Sequence, residues 1–393
     1  MFTTGARGQP SMGDANSMFV PANYERLLSA LQLPDRLLPL TRFERMAPGE
    51  ANAIARMVRH ATSTVVENYC TAKQKDGSAF AMRDQHAKPH GCLQASFLVR
   101  DDVPPEFAFG VFQPNARYEA IVRFSNAHGT RQSDRTPDGR GMAVKLLRVR
   151  GQNILSPERD PGATVEQDFL LTNFPVFFSP GVTDYTEFLE IVALPHDTWK
   201  GKLKQGVKVV LFFLPRPRQL WIFLRNAFQY PKSPMHVAYH SMTPYLVGDD
   251  QVVRYRASPV QVPGSAPKRL WRLCDDNFLR RALAAELSPG RASAPDKAVF
   301  DFSLQIRNDA TPDDVEDASR YWRRRKDRLI KVAQIEIPLQ DFDTPRQWYS
   351  GENLSFSPWH CLREHRPLGG LNRMRLAVYR ASLEVRHQLN MVR

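Results

Sequence analysis

The feature that most constrains this chain is a set of short β-branched segments that come in two groups instead of alternating with helices. Residues 118–125 (Tyr-Glu-Ala-Ile-Val-Arg-Phe-Ser) and 141–147 (Gly-Met-Ala-Val-Lys-Leu-Leu) are bounded by Gly, Asp, Asn and Pro turns and read as antiparallel strands. A second group, 252–257, 299–306 and 331–337, follows after helical or irregular sequence. Repeated βαβ units would interleave the two element types. The expected fold is therefore α+β, with an antiparallel β-barrel or curved sheet at the centre and helices around it.

With 393 residues, 42% hydrophobic and 24% charged, the chain can bury a sizeable core. Its longest apolar run, 209–214, is far short of the roughly 20 residues of a membrane-spanning helix. Positions 1–23 are rich in Gly, Ser, Pro and Asn and predict a mobile tail, with one domain occupying 24–393. They show neither a basic n-region nor an apolar h-region, which reads as a cytoplasmic address. Cys70, Cys92, Cys274 and Cys361 are too scattered for a disulfide framework or zinc site and read as free thiols.

The net charge of +13 favours anionic partners, although part of it lies in the run 323–326, which reads as a solvated face. Ala53, Ile54, Met57, Val58, Ala61 and Val65 recur at helical spacing and predict an amphipathic packing helix over 49–69. Segment 202–228 mixes cations with apolar residues and is divided by Pro215 and Pro217. Two helices packed on the core are expected there, the alternative being a membrane-surface or substrate-entry element.

Chemistry gathers first near the C-terminus. Arg375, Tyr379 and Arg386 fall within about 40° of one another on a helix at 100° per residue, while Met374, Val378, Ala381 and Val385 form an apolar flank. Arginine beside a phenol favours the phenolate, a good ligand for ferric iron. Arg375-Leu-Ala-Val-Tyr379 resembles the Arg-x-x-x-Tyr proximal signature of the catalase superfamily, whose heme is bound through tyrosine.

Further segments carry the same resemblance in the same order. Arg83-Asp-Gln-His86-Ala-Lys resembles the catalase distal segment, Val-Arg123-Phe-Ser125 a strand facing the heme, and Pro175-Val-Phe-Phe178 a segment lining the distal cavity. The stretches 138–145 and 356–358 also fit. The resemblance implies a catalase-like barrel binding heme b, with Tyr379 as the iron ligand, Arg375 beside it, and Arg83, Arg123 and Arg386 pairing with heme carboxylates. It makes His86 the distal acid/base, Ser125 the group that orients it, and Phe178 and Tyr185 contacts of the porphyrin.

Where catalases carry a distal asparagine this chain has Thr172, with Asn173 next to it, so either side chain could serve the peroxide. Gln85 and Tyr185 make the pocket more polar than the family's. The function implied is a heme peroxidase or catalase-like oxidoreductase acting on hydrogen peroxide or an organic or lipid hydroperoxide, with an organic electron donor. One alternative is a fatty-acid hydroperoxide isomerase or lyase, as in coral-type allene oxide synthases. Another is a non-enzymatic basic protein for membrane or nucleic acid, although no specific nucleic acid is expected. The histidine pairs 86/90 and 236/240 have helical metal spacing, but Pro89 interrupts the first and no third ligand attends the second.

Overall fold

The computed structural model describes residues 39–76, 80–155, 164–194, 198–263, 275–289, 295–322 and 327–391. The segment 1–23 expected to be a tail, Cys274 and the basic run 323–326 lie outside the described residues. The strands are β1 (Pro89–Val99), β2 (Arg117–Asn126), β3 (Arg140–Arg150), β4 (Thr164–Thr172), β5 (Tyr239–His240), β6 (Tyr245–Val247), β7 (Gln251–Gln261), β8 (Lys297–Arg307) and β9 (Asp327–Pro338). The helices are α1 (Glu50–Asp76), α2 (Val182–Val192), α3 (Trp199–Phe213), α4 (Pro217–Ala227), α5 (Phe278–Leu287), α6 (Pro312–Glu316), α7 (Pro345–Asn353) and α8 (Gly370–Leu389).

The strands pair in the order β5-β4-β3-β2-β1-β9-β8-β7-β6, and β5 also pairs with β7, closing an 8-strand antiparallel barrel with β6 appended. Period-two alternation sorts the side chains of each strand. On β2, Ala120, Val122 and Phe124 join the barrel core while Arg123 and Ser125 take the opposite face; on β3, Met142, Val144 and Leu146 point in and Lys145 points out. The interior is filled by rings, with Phe169 at 4.8 Å from Phe302 and 5.8 Å from Phe97. Cavities must therefore lie outside the barrel wall.

All five strands expected from the sequence are present and run longer than the periodicity showed. β4 went unread because Glu166, Gln167 and Asp168 look like loop residues. Their polar groups are satisfied across the fold: Asp168 accepts from Lys145 and from the Ser357 backbone, and Gln167 accepts from the Leu362 backbone. As expected, the proline pair splits 202–228 into two helices, α3 and α4.

Helices α1 and α8 pack through Ala53, Ile54, Met57 and Ala61 against Leu371, Met374 and Val378. The first turn of α8 is locked by Arg373, which donates to Glu50 at 2.7 Å, Glu44 at 2.9 Å and Glu316 at 3.0 Å, all with little solvent contact. Burial opposes charge on Arg373, but the Glu50 and Glu316 carboxylates raise its pKa above the ordinary value. Replacing Arg373 with Ala leaves these carboxylates facing one another without a cation, so stability should fall by about 3–5 kcal/mol. A lower urea midpoint for Arg373→Ala would show it; a midpoint equal to the parent's would rule the cluster out as the lock on α8.

Candidate active site

Barrel register builds one wall. Ser125 pairs with Gly141 and Gly141 with Thr172, so a single rung across β2, β3 and β4 carries three residues at the cavity surface. His86 lies in the bend before β1 with a left-handed φ of 58°, which its backbone N–H secures by donating to Ala127 O at 3.1 Å. Its carbonyl accepts from Arg123 Nη2 at 3.0 Å, and its Nδ1 lies 3.0 Å from Ser125 Oγ, leaving Nε2 for a ligand. A Cβ at position 141 would stand 2.6 Å from both Cε1 and Nδ1 of His86, so only glycine lets the ring lie flat on β3. Burial first, then the positive Arg123 and Arg375, push the His86 pKa down to about 3.

Helix α8 supplies the opposite wall. Arg375 Nε donates to Tyr379 Oη at 3.2 Å and its guanidinium carbon lies 5.2 Å from the ring centre. The distal bend is tied to this helix directly: Ser382 Oγ donates to Asp84 Oδ1 at 2.6 Å, and Asn390 exchanges hydrogen bonds with the Ala81 backbone. Burial raises the Asp84 carboxyl above the usual range in spite of the Ser382 bond. Between the walls lie two adjoining cavities of about 100 and 170 Å³ that share His86, Thr172, Arg375 and Tyr379.

Three of the expected cofactor arginines converge at the rim of the first cavity. Arg83 and Arg123 each bond Glu352 of α7, at 3.1 and 3.0 Å. Arg386 reaches the Leu354 carbonyl at 3.4 Å, while the buried Nε atoms of Arg123 and Arg386 have no hydrogen-bond partner among the described residues. Burial works against the charge of Glu352, yet Arg83 and Arg123 hold its carboxyl below the usual value. Arg386 is lowered to about 10 by burial, an effect to which Arg123 adds. Three guanidiniums against one carboxylate leave an excess of two positive charges.

Other sequence candidates fall differently. Thr172 faces both cavities, whereas Asn173 is absent from their walls because its Oδ1 accepts from Arg140 N at 2.7 Å and its Nδ2 donates to Gln229. Phe178 sits behind the wall among Tyr185, Phe188 and Phe223, and its neighbour Phe177 lines the second cavity with Tyr185. β4 ends at Thr172, and in the irregular backbone that follows the Asn173 amide is held away from the cavity by Arg140 N and Gln229. His90 bonds Asn126 at 2.8 Å and His236 bonds Glu286 at 2.9 Å. Sequence reasoning missed Glu352, Asp84 and Met242, and within 175–178, the segment expected to line the cavity, it singled out Phe178 where Phe177 lines it; of the missed three, Asp84, inside the distal segment, stood where a signal could have found it.

The fold matches the crystal structure of a fungal catalase with a TM-score of 0.62 and 16% identity, covering 81% of this chain and 62% of that one. It matches a bacterial catalase with a TM-score of 0.59 and 16% identity, covering 83% and 61%. This chain thus spans about three fifths of the length of each catalase. No protein-family model and no curated protein matches the sequence. The protein has a catalase-like α+β barrel fold.

Heme is the group that the sequence resemblance calls for, and the residues present fit such a group. The excess of two positive charges suits a group bearing two carboxylates, the Nε atoms of Arg123 and Arg386 are donors without acceptors among the described residues, and Tyr379 offers a phenol oxygen beside an arginine. Ala143, Phe356 and Leu383 give the first cavity apolar walls.

Because Gly141 keeps the His86 ring in place, Gly141→Ala should break the Ser125 bond without touching α8. A structure of the variant should show the ring displaced from Ser125 Oγ at a thermal stability near the parent's; a large loss of stability instead would mean that the glycine serves the fold and not the ring.

Proposed function

We propose that this chain is a heme b-dependent, hydroperoxide-metabolising oxidoreductase of the peroxidase type. One observation carries the reading: an arginine-backed Tyr379 and a serine-held, neutral His86 line the same cavity from opposite walls. Tyr379 would ligate the iron, and Arg83, Arg123 and Arg386 would meet the carboxylates. When bound, heme supplies a ferric Lewis acid and a store for the two oxidising equivalents of the O–O bond. Arg375 donates a hydrogen bond to the Tyr379 phenol oxygen and sets a positive charge beside it. His86, unprotonated because its pKa lies near 3, takes the proton of one peroxide oxygen on Nε2 and returns it to the other. Ser125 fixes the ring orientation, and the Thr172 hydroxyl offers a hydrogen bond to the bound peroxide.

A second reading, a lipid-hydroperoxide isomerase, is favoured by the larger cavity, whose Met57, Ala61, Leu189 and Leu371 make an apolar chamber beside the same residues. Product analysis with a lipid hydroperoxide separates the two: reduced alcohol together with oxidised donor belongs to the peroxidase, a rearranged product without donor to the isomerase.

Tyr379→Phe should abolish heme retention, and an unchanged Soret band and heme load would sink the proximal assignment. His86→Ala should keep the band and lose peroxide consumption by roughly a hundredfold. The depressed pKa sets the pH response. A base that stays neutral down to a pH of about 3 keeps the parent's rate level on acidification through the usual histidine range, so a fall near about 6.5 would contradict the buried, neutral ring.

The Thr172 hydroxyl is shorter than the amide it replaces and should favour peroxide cleavage over reduction by a second peroxide. Thr172→Asn should then raise oxygen evolution from hydrogen peroxide relative to oxidation of a phenolic donor, by up to about a hundredfold. A parent that already evolves oxygen far faster than it oxidises the donor would favour the plain catalase reading.

A further inference from the structure

Helices α3 and α4 form a hairpin with two unlike faces. The inner face carries Phe212, Phe213 and Ile222, buried against Phe178 and Phe188. The outer face is apolar as well, yet open to solvent. At 100° per residue Trp199, Leu203, Val207, Val210, Leu211 and Leu214 of α3 and its C-cap fall within an arc of about 120°. All six are exposed, Trp199 by 71% and Leu214 by 73%. On the neighbouring helix Trp221, Leu224 and the following Phe228 continue the patch.

Cations border this stripe. Lys204 and Lys208 run along one margin, Lys200 lies just inside it and Lys202 beyond the other, all exposed and, among the described residues, without a carboxylate partner. Arg218 and Arg225 do the same for α4, with Arg225 lying over the Trp221 ring at 4.9 Å. Between positions 198 and 232 there is no Asp or Glu. Among the described residues no helix is long and apolar enough to cross a membrane.

We propose that this hairpin docks on the surface of an anionic phospholipid bilayer, with the stripe sunk into the acyl boundary and the lysines at the phosphates. An apolar arc edged by lysines is the pattern of helices that lie in a membrane interface. A second copy of the chain would bring two lysine margins together, and a nucleic acid would meet aliphatic side chains where it needs cations. The inference stands on the surface alone and is independent of the chemistry proposed for the cavity. Its consequence for that cavity is proximity, since Asn226 at the end of α4 lines the larger chamber.

The test is co-sedimentation of the full chain with phosphatidylcholine vesicles, with and without phosphatidylglycerol. The parent should bind the anionic vesicles, bind the neutral ones weakly, and release with added salt. Leu203→Glu with Val210→Glu should weaken binding by roughly tenfold or more. Lys200→Gln, Lys204→Gln and Lys208→Gln together should remove the preference for phosphatidylglycerol; because these lysines are exposed, this variant carries the test if the glutamate pair fails to fold. Parent protein that ignores anionic vesicles, or variants that bind as the parent does, would overturn the proposal. So would a lipid-free dimer that the glutamate pair dissolves, which would identify a second copy as the occupant. The vesicles hold no peroxide and binding needs no heme, so failure here leaves the proposed chemistry untouched.

Discussion

Three guanidiniums share one buried carboxylate where the barrel meets α8, and much of the site depends on that imbalance. Burying a cation is costly unless it is paired, and Glu352 meets only part of the demand made by Arg83, Arg123 and Arg386. The pairing draws together the distal bend, β2 and α7, while Arg386 brings α8 to the same place through the Leu354 carbonyl. Placement of His86 follows, because the Arg123 guanidinium that holds Glu352 also holds the His86 carbonyl. The same positive field works with burial to keep that ring neutral. One electrostatic arrangement thus sets both the shape of the cavity and the protonation state of its base.

Barrel closure supplies the complementary constraint. A wall one residue thick must satisfy two environments, and the period of two does so by giving alternate side chains to each. The inward set packs into a solid aromatic interior, so the barrel holds its shape without a ligand. The outward set is then free to be polar, and Arg123, Ser125 and Lys145 use that freedom at buried positions. Lys145 is satisfied by Asp168 at 2.9 Å, with burial opposing its charge and the nearby carboxylates raising its pKa.

The helices divide their work in the same manner. Helix α8 is pinned at its start by Arg373 and along its length by α1, so its polar stripe is presented on a rigid support. The α3–α4 hairpin is held by its Phe212, Phe213 and Ile222 face and by the Arg216 pairs with Asp184 and Glu187, while its outer apolar residues stay exposed among the described residues. Solvent-facing hydrophobic area of that extent opposes solubility, a penalty that membrane contact would remove.

By itself the sequence determined what depends on local spacing. The alternation on β2 and β3 and the common helical face of Arg375, Tyr379 and Arg386 are properties of residues a few positions apart, and geometry within one element is enough to read them. Tertiary structure decided what depends on register and long-range pairing. Ser125, Gly141 and Thr172 share a rung only because the strands close in one register, and Asn173 is lost to the cavity because Arg140 captures it. Glu352 had no local signal at all: it lies in a short polar helix, and its partners are 229 and 269 residues away in the chain. A carboxylate acquires such a role only when folding removes water and brings distant arginines to it, and that condition cannot be read from the spacing of residues along the chain.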